Sequence, residues 1–148
     1  MAKLKVQGIE VVENRLEELS KDIQREIIPE MLKAGAEVMV RKWQDSIRSH
    51  HHISNKGNSH MVDAVKATEV RYETDGASIE VYPMGTDSHR INQAQKAYIL
   101  HHGRHPTNKG TKGITGDKFV TEAEKAAKRE IAEAMQTALD RAIAEKKG

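Results

Sequence analysis

Residues 67–82, ATEVRYETDGASIEVY, decide the fold. Val70 and Tyr72 lead into Thr74-Asp75-Gly76, and Ile79 and Val81 follow, so two β-rich runs flank an Asp-Gly pair. Gly76 takes a positive φ at little steric cost, which the tight connection of a hairpin demands. Strands are expected over residues 67–73 and 77–82.

On either side of this hairpin the hydrophobic period changes from two to about 3.6. Upstream, Val12, Leu16, Leu19, Ile23, Ile27, Met31, Ala34 and Val38 step by threes and fours into one apolar stripe, while Glu13, Glu17, Arg25 and Lys33 occupy other faces. Acidic residues open the pattern (Glu10, Glu13, Glu17, Glu18) and basic ones close it (Arg41, Lys42, Arg48), complementing the helix dipole. Pro29 lacks a backbone donor and disfavours helical geometry at Ile28. It predicts either a kink or two helices, with Pro29 in the first turn of the second. Ahead of this helix, Leu4 and Val6 alternate with Lys3 and Lys5 up to Gly8, the pattern of a short strand.

Downstream, Thr121-x-x-Glu124 reads as a capping box that starts a helix. The inner stripe of that helix, Ala127, Ile131, Ala134, Met135, Ala138, Ala142 and Ile143, is rich in alanine and suits close packing against another helix. Residues 49–59, with three consecutive histidines, read as an exposed loop, and residues 94–100 fit either a helix or a strand. Residues 101–118 hold Gly103, Pro106, Gly110, Gly113 and Gly116 and read as a long mobile loop. It is the most basic in the chain, with Arg104, Lys109, Lys112 and Lys118 against Asp117. The expected fold is a single α+β domain over residues 1–148, with long N-terminal helices and a C-terminal helix packed on a small antiparallel sheet.

Composition narrows the chemistry. The 148 residues include no cysteine, which removes disulfides, thiol nucleophiles and thiolate metal centres. Lys+Arg 24 nearly balances Asp+Glu 22, so phosphate binding would need a local patch rather than overall charge. Trp43, Tyr72, Tyr82, Tyr98 and Phe119 are the whole aromatic complement, too few for a base-stacking platform. No apolar run approaches the ~18 residues of a membrane span. The polar residues 1–8 lack the apolar stretch of a secretory signal, and folding in a cytoplasm is expected.

The eight histidines, His50, His51, His52, His60, His89, His101, His102 and His105, are the conspicuous chemical feature. His102-x-x-His105 supplies two metal ligands at most, with no HExxH motif and no cysteine to complete a site. His101 and His102 followed by Asn108 have the order of a His-Asn-His nuclease, but the downstream helix carries no histidine to finish a metal finger. No Gly-x-Ser-x-Gly elbow occurs, and residues 110–116 lack the Lys-Ser/Thr ending of a phosphate loop. No catalytic residue, cofactor or metal ligand is assigned. The alternative of a different class is a metal-dependent nuclease or DNA-binding protein of a mobile element. It would use His101, His102 and His105 with Arg104, Lys109 and Lys112 of the same loop.

Several segments taken in order carry a resemblance. They are Leu4-Lys-Val-Gln-Gly8 before a long helix, and Gly57-Asn-Ser-His-Met-Val-Asp-Ala-Val-Lys66 leading into the hairpin. After these come Ala97-Tyr-Ile-Leu-His-His-Gly103, and Asp117-Lys-Phe-Val-Thr-Glu-Ala123 entering the last helix. In this order the chain resembles the tailed-phage minor tail component family, whose members act at the head–tail neck or in tail completion. The resemblance implies an assembly subunit with no catalytic residues. It implies a homo-oligomer, expected as a ring, with other neck and tail proteins as partners. Non-specific contact with DNA in the channel is expected, and no membrane. It implies location in the virion, with the host cytoplasm as the place of assembly. Trp43, Tyr98, His102, Arg104 and Phe119 are the candidate interface residues, because aromatic and arginine anchors carry most of the energy of an interface.

Overall fold

The computed structural model describes residues 2–5, 21–51, 60–73, 76–106, 110 and 113–147. Two long helices dominate: α1, Lys21–His50, and α4, Phe119–Lys147. They lie antiparallel, since Ser46 meets Phe119 while Gly35 meets Ile131 and Met135. On α1 the buried residues include Ile27, Met31, Gly35, Met39, Trp43 and Ile47, spaced by fours; α4 answers with Ala123, Ala127, Ile131, Met135 and Leu139. Small side chains let the two backbones approach. An ideal Cβ on Gly35 would stand 3.2 Å from Met135 Cγ.

Pro29 sits inside α1, which is one helix from Lys21 to His50, so of the two outcomes expected at Pro29 the split into two helices does not occur. A proline in a helix interior costs about 3 kcal/mol. Ile27, Met31 and Leu32 are fully buried around it, and each such burial is worth roughly 1.5–3 kcal/mol, so packing outweighs the lost hydrogen bond. The helix also takes in Ser49 and His50, which were expected in a loop; residues 52–59 of that loop lie outside the described residues, as do Val12, Leu16 and Leu19 of the apolar stripe.

The sheet is built on one strand. β4, Gly76–Pro83, is flanked on one side by β1, Ala2–Lys5, and on the other by β2, Val65–Ala67, and β3, Arg71–Glu73, all antiparallel. The expected strand over residues 67–73 is thus two short strands. Ala67 pairs with Val81 and Arg71 with Ser78, so four steps on one strand face three on the other, the count of a β-bulge. Thr68 supports the bulge twice: its N–H donates to Glu80 O at 2.8 Å, and its Oγ1 accepts from Glu80 N at 3.1 Å. Gly76, with φ 147°, pairs with Glu73 as the first residue of β4, one position ahead of the expected strand start, while Thr74 and Asp75 lie outside the described residues. Ala77, Ile79 and Val81 alternate toward the core and pack on α1. A single turn, α2, Met61–Ala64, precedes β2 and is tied to α1 by Gln44 Nε2 donating to Val62 O at 3.2 Å.

Residues 94–100, undecided by periodicity, are helical within α3, Gln93–His102. The deciding group is Asn92, whose side chain accepts from Gln95 N at 2.9 Å as an N-cap. Gly103, with φ 83°, closes α3 and donates its N–H to Ile99 O. The stretch expected to be irregular then forms a two-residue ladder between β5, Gly103–Arg104, and β6, Ile114–Thr115. Among the described residues no helix is long and apolar enough to cross a membrane.

Candidate functional site

Three element ends converge at Phe119: the C-terminus of α1, the C-terminus of α3 and the N-terminus of α4. Helix termini leave unpaired backbone groups, and here the ends satisfy one another. Asp117 N donates to Leu100 O at 3.2 Å and Lys118 N to His101 O at 3.1 Å, so the approach to α4 pairs the last carbonyls of α3. In return, the imidazole Nδ1 of His101 accepts from Val120 N at 3.2 Å. Asp117 Oδ1 accepts from Phe119 N at 3.0 Å. The helix therefore begins at Phe119, and the expected capping box is corrected: Thr121 and Glu124 lie inside the helix, where they cannot act as its cap. Ser46 Oγ, from α1, donates to Phe119 O at 2.7 Å.

Two glycines make this junction geometrically possible. A Cβ on Gly116 would fall 2.5 Å from His101 O, and one on Gly103 the same distance from Ile114 O, so neither position has room for a side chain. The Phe119 ring is fully buried and meets Trp43, His51 and His101 edge-on, with centroids 5.7, 5.1 and 6.1 Å away. His50 contacts the Glu122 carboxylate, and His51 Nε2 lies 3.1 Å from Asp117 Oδ2 without hydrogen-bond alignment. Burial pushes both His51 and His101 below the ordinary imidazole range. Asp117 opposes the shift in each, while Lys118 and His102 reinforce it at His101.

Above this buried junction lies an exposed patch. Tyr98 is 62% exposed and its ring rests on His102, centroids 4.4 Å apart; Arg104, two positions later in the chain, is exposed as well. Tyr98, His102 and Glu124 rim a groove whose floor includes Trp43 and Val120. Burial raises the Glu124 carboxyl above its usual range.

Of the five candidate interface residues, the structure brings Tyr98 and His102 together at the surface, and Arg104 is exposed two positions further on, in β5. Trp43 and Phe119 are instead core residues, 1% and 0% exposed, because they fill the wedge between α1 and α4; as direct contacts to a partner they are corrected. The histidines of the nuclease alternative do not gather as ligands: His101 uses Nδ1 to cap α4, and His105 is exposed beyond β5. Among the described residues no three His, Asp or Glu groups converge on a metal position, and Lys109 and Lys112 lie outside those residues. Sequence reading missed Ser46, His51 and Asp117. For Asp117 a signal existed, since Asp two residues before the first helical apolar residue is an Asx-turn pattern; for the other two, partners lie far away in sequence.

The family model described as "Bacteriophage HK97-gp10, putative tail-component" matches residues 10–86, just over half of the chain, and the chain belongs to this family of phage tail components. No curated protein and no solved structure matches. A tail component is a structural part of the virion, a role that fits a non-enzyme. The matched span carries α1, α2 and β2 to β4, whereas α3, the β5–β6 ladder and α4 lie beyond it.

Proposed function

We propose that the chain is a subunit of the head–tail neck or of a tail-completion assembly, a homo-oligomer closing into a ring with neighbouring neck and tail proteins as further partners. The observation that carries this reading is the patch of Tyr98, His102 and Arg104. An exposed aromatic ring in tilted contact with an imidazole, followed two positions later by an exposed arginine on β5, is held by a helix whose both ends are tied. Rigid aromatic and arginine anchors of this kind suit a protein interface. Head-to-tail contacts through one patch and a different facing surface close into a ring when the rotation divides a full turn. Contact with DNA in the channel belongs to the same reading as a non-specific, salt-sensitive interaction, and assembly takes place in the host cytoplasm.

Light scattering on the purified chain over a range of concentrations, alone and mixed with neighbouring tail proteins, tests the proposal. A closed oligomer or a defined mixed complex, weakened by Tyr98→Ala with Arg104→Ala, is the expected result. A monomer at every concentration and with every partner contradicts it.

A further inference from the structure

The junction at Phe119 contains a device that its structural role does not require. Helix N-termini are ordinarily capped by Ser, Thr, Asp or Asn, whose oxygens accept at any pH above the carboxylate range. Here one N–H of the first turn, Val120, is held by an imidazole nitrogen, and that nitrogen accepts only while the ring is neutral. We propose that His101 is a proton-controlled latch. Neutral, it holds the end of α3 to the start of α4; protonated, it releases the first turn of α4 together with the β5–β6 ladder between them.

Protonation acts twice. Both ring nitrogens become donors, so the Val120 N–H loses its partner, and a positive charge appears at the positive end of the α4 dipole. The surrounding groups set the balance. On α3 itself stands His102, its ring edge-on to His101 at 4.4 Å. The approach to α4 brings Lys118, which resists the new charge, and Asp117, which favours it. Glu124 of α4 lines the same groove as His101, and Glu122 is engaged by His50. From α1, His51 packs on the other side of the Phe119 ring and faces Asp117, so its own protonation would draw on the carboxylate that opposes the shift at His101. Arg104, on β5, is exposed.

The lowered value at His101 agrees with a ring kept neutral in the folded chain. Its stabilising contribution is complete above the unfolded value of 6.5 and is lost as pH falls through that value toward the lowered folded one. The exposed Tyr98–His102 face sits on the same helix end, so mild acid loosens the support of the patch.

Amide hydrogen exchange over residues 113–122, corrected for intrinsic rates and compared at about pH 7.5 and about pH 5.5, on either side of the imidazole range, tests the latch. Protection in the wild-type chain is expected to fall roughly two- to tenfold in acid, about ten being the most that one imidazole with an unfolded value of 6.5 supplies between these two pH values. In His101→Asn, whose amide oxygen accepts at both pH values, protection is expected to stay level; in His101→Ala it is low throughout. A level wild-type profile, or an equal fall in His101→Asn, overturns the proposal. Nitrogen NMR of the wild-type ring gives an answer independent of the variants. Nδ1 as the unprotonated acceptor near pH 7.5 is required, and a proton on Nδ1 there overturns the latch.

Discussion

The hydroxyl of Ser46 donates to the carbonyl oxygen of Phe119 at 2.7 Å, a buried bond between positions 73 apart that fixes where α1 and α4 meet. Ser46→Ala is expected to destabilise the chain by about 0.5–1.5 kcal/mol in urea unfolding. Ser49→Ala, which removes a hydroxyl donating to Ser46 O from an exposed position, is the control and is expected to change stability by less than about 0.5 kcal/mol.

Gly35 packs directly against Met135 and Ile131 where the two long helices meet. Gly35→Leu overpacks this crossing and is expected to cost about 1–3 kcal/mol. Shortening the opposing side chain in the double variant Gly35→Leu with Met135→Ala is expected to recover part of that loss. A double-mutant cycle measures the coupling, and strict additivity would show that the two side chains do not share the space.

Trp43 and Tyr98 separate stability from assembly. Trp43→Ala empties the wedge beneath the junction and is expected to cost about 3–5 kcal/mol. Tyr98→Ala, at an exposed site, is expected to leave monomer stability within about 0.5 kcal/mol while weakening association. Thermal unfolding at a concentration too low for association, set beside light scattering at high concentration, reads the two effects apart.

The loop before α3 responds to acid in its own window. Asp87 Oδ1 accepts from His89 N at 2.8 Å and Ile91 N at 3.0 Å, and Lys96 Nζ lies 2.7 Å from Oδ2; these partners hold the carboxyl at about 2. A carboxyl with a depressed folded value stabilises above its unfolded value of 3.8, and that support is lost as pH falls through about 2. Asp87→Asn is therefore expected to speed amide exchange at Ile91 near neutral pH, with the difference from wild type narrowing only as pH falls from about 4 toward 2. A difference that vanishes already near pH 6 contradicts the assignment.

Local pattern carried much of this architecture. The Asp-Gly pair with its flanking alternation located β4, and the stripes through Ile27 to Val38 and Ala127 to Ala142 marked the faces along which α1 and α4 pack. What sequence could not show depends on partners distant along the chain. Of the two outcomes expected at Pro29, the split into two helices was overridden by the burial of Ile27, Met31 and Leu32 in the core. The bulge at Thr68 shows only once β4 is paired, and the capping box at Thr121 lost to Asp117 and His101 because the end of α3 arrives at the same place. Trp43 and Phe119 carried the ambiguity of every large aromatic: core and interface use the same side chains, and only the three-dimensional arrangement distinguishes them. Tyr98 and His102 share one face at the end of α3 because they stand four positions apart on a helix, while Arg104 follows on β5.

The most direct measurement of the structural role is made on the phage or prophage that carries this chain, by placing a stop codon early in its reading frame and examining the particles by electron microscopy and infectivity. Unjoined or incomplete heads and tails, with infectivity lost and then restored when the chain is supplied in trans, are the expected result. Complete, infectious virions formed without it would contradict the account.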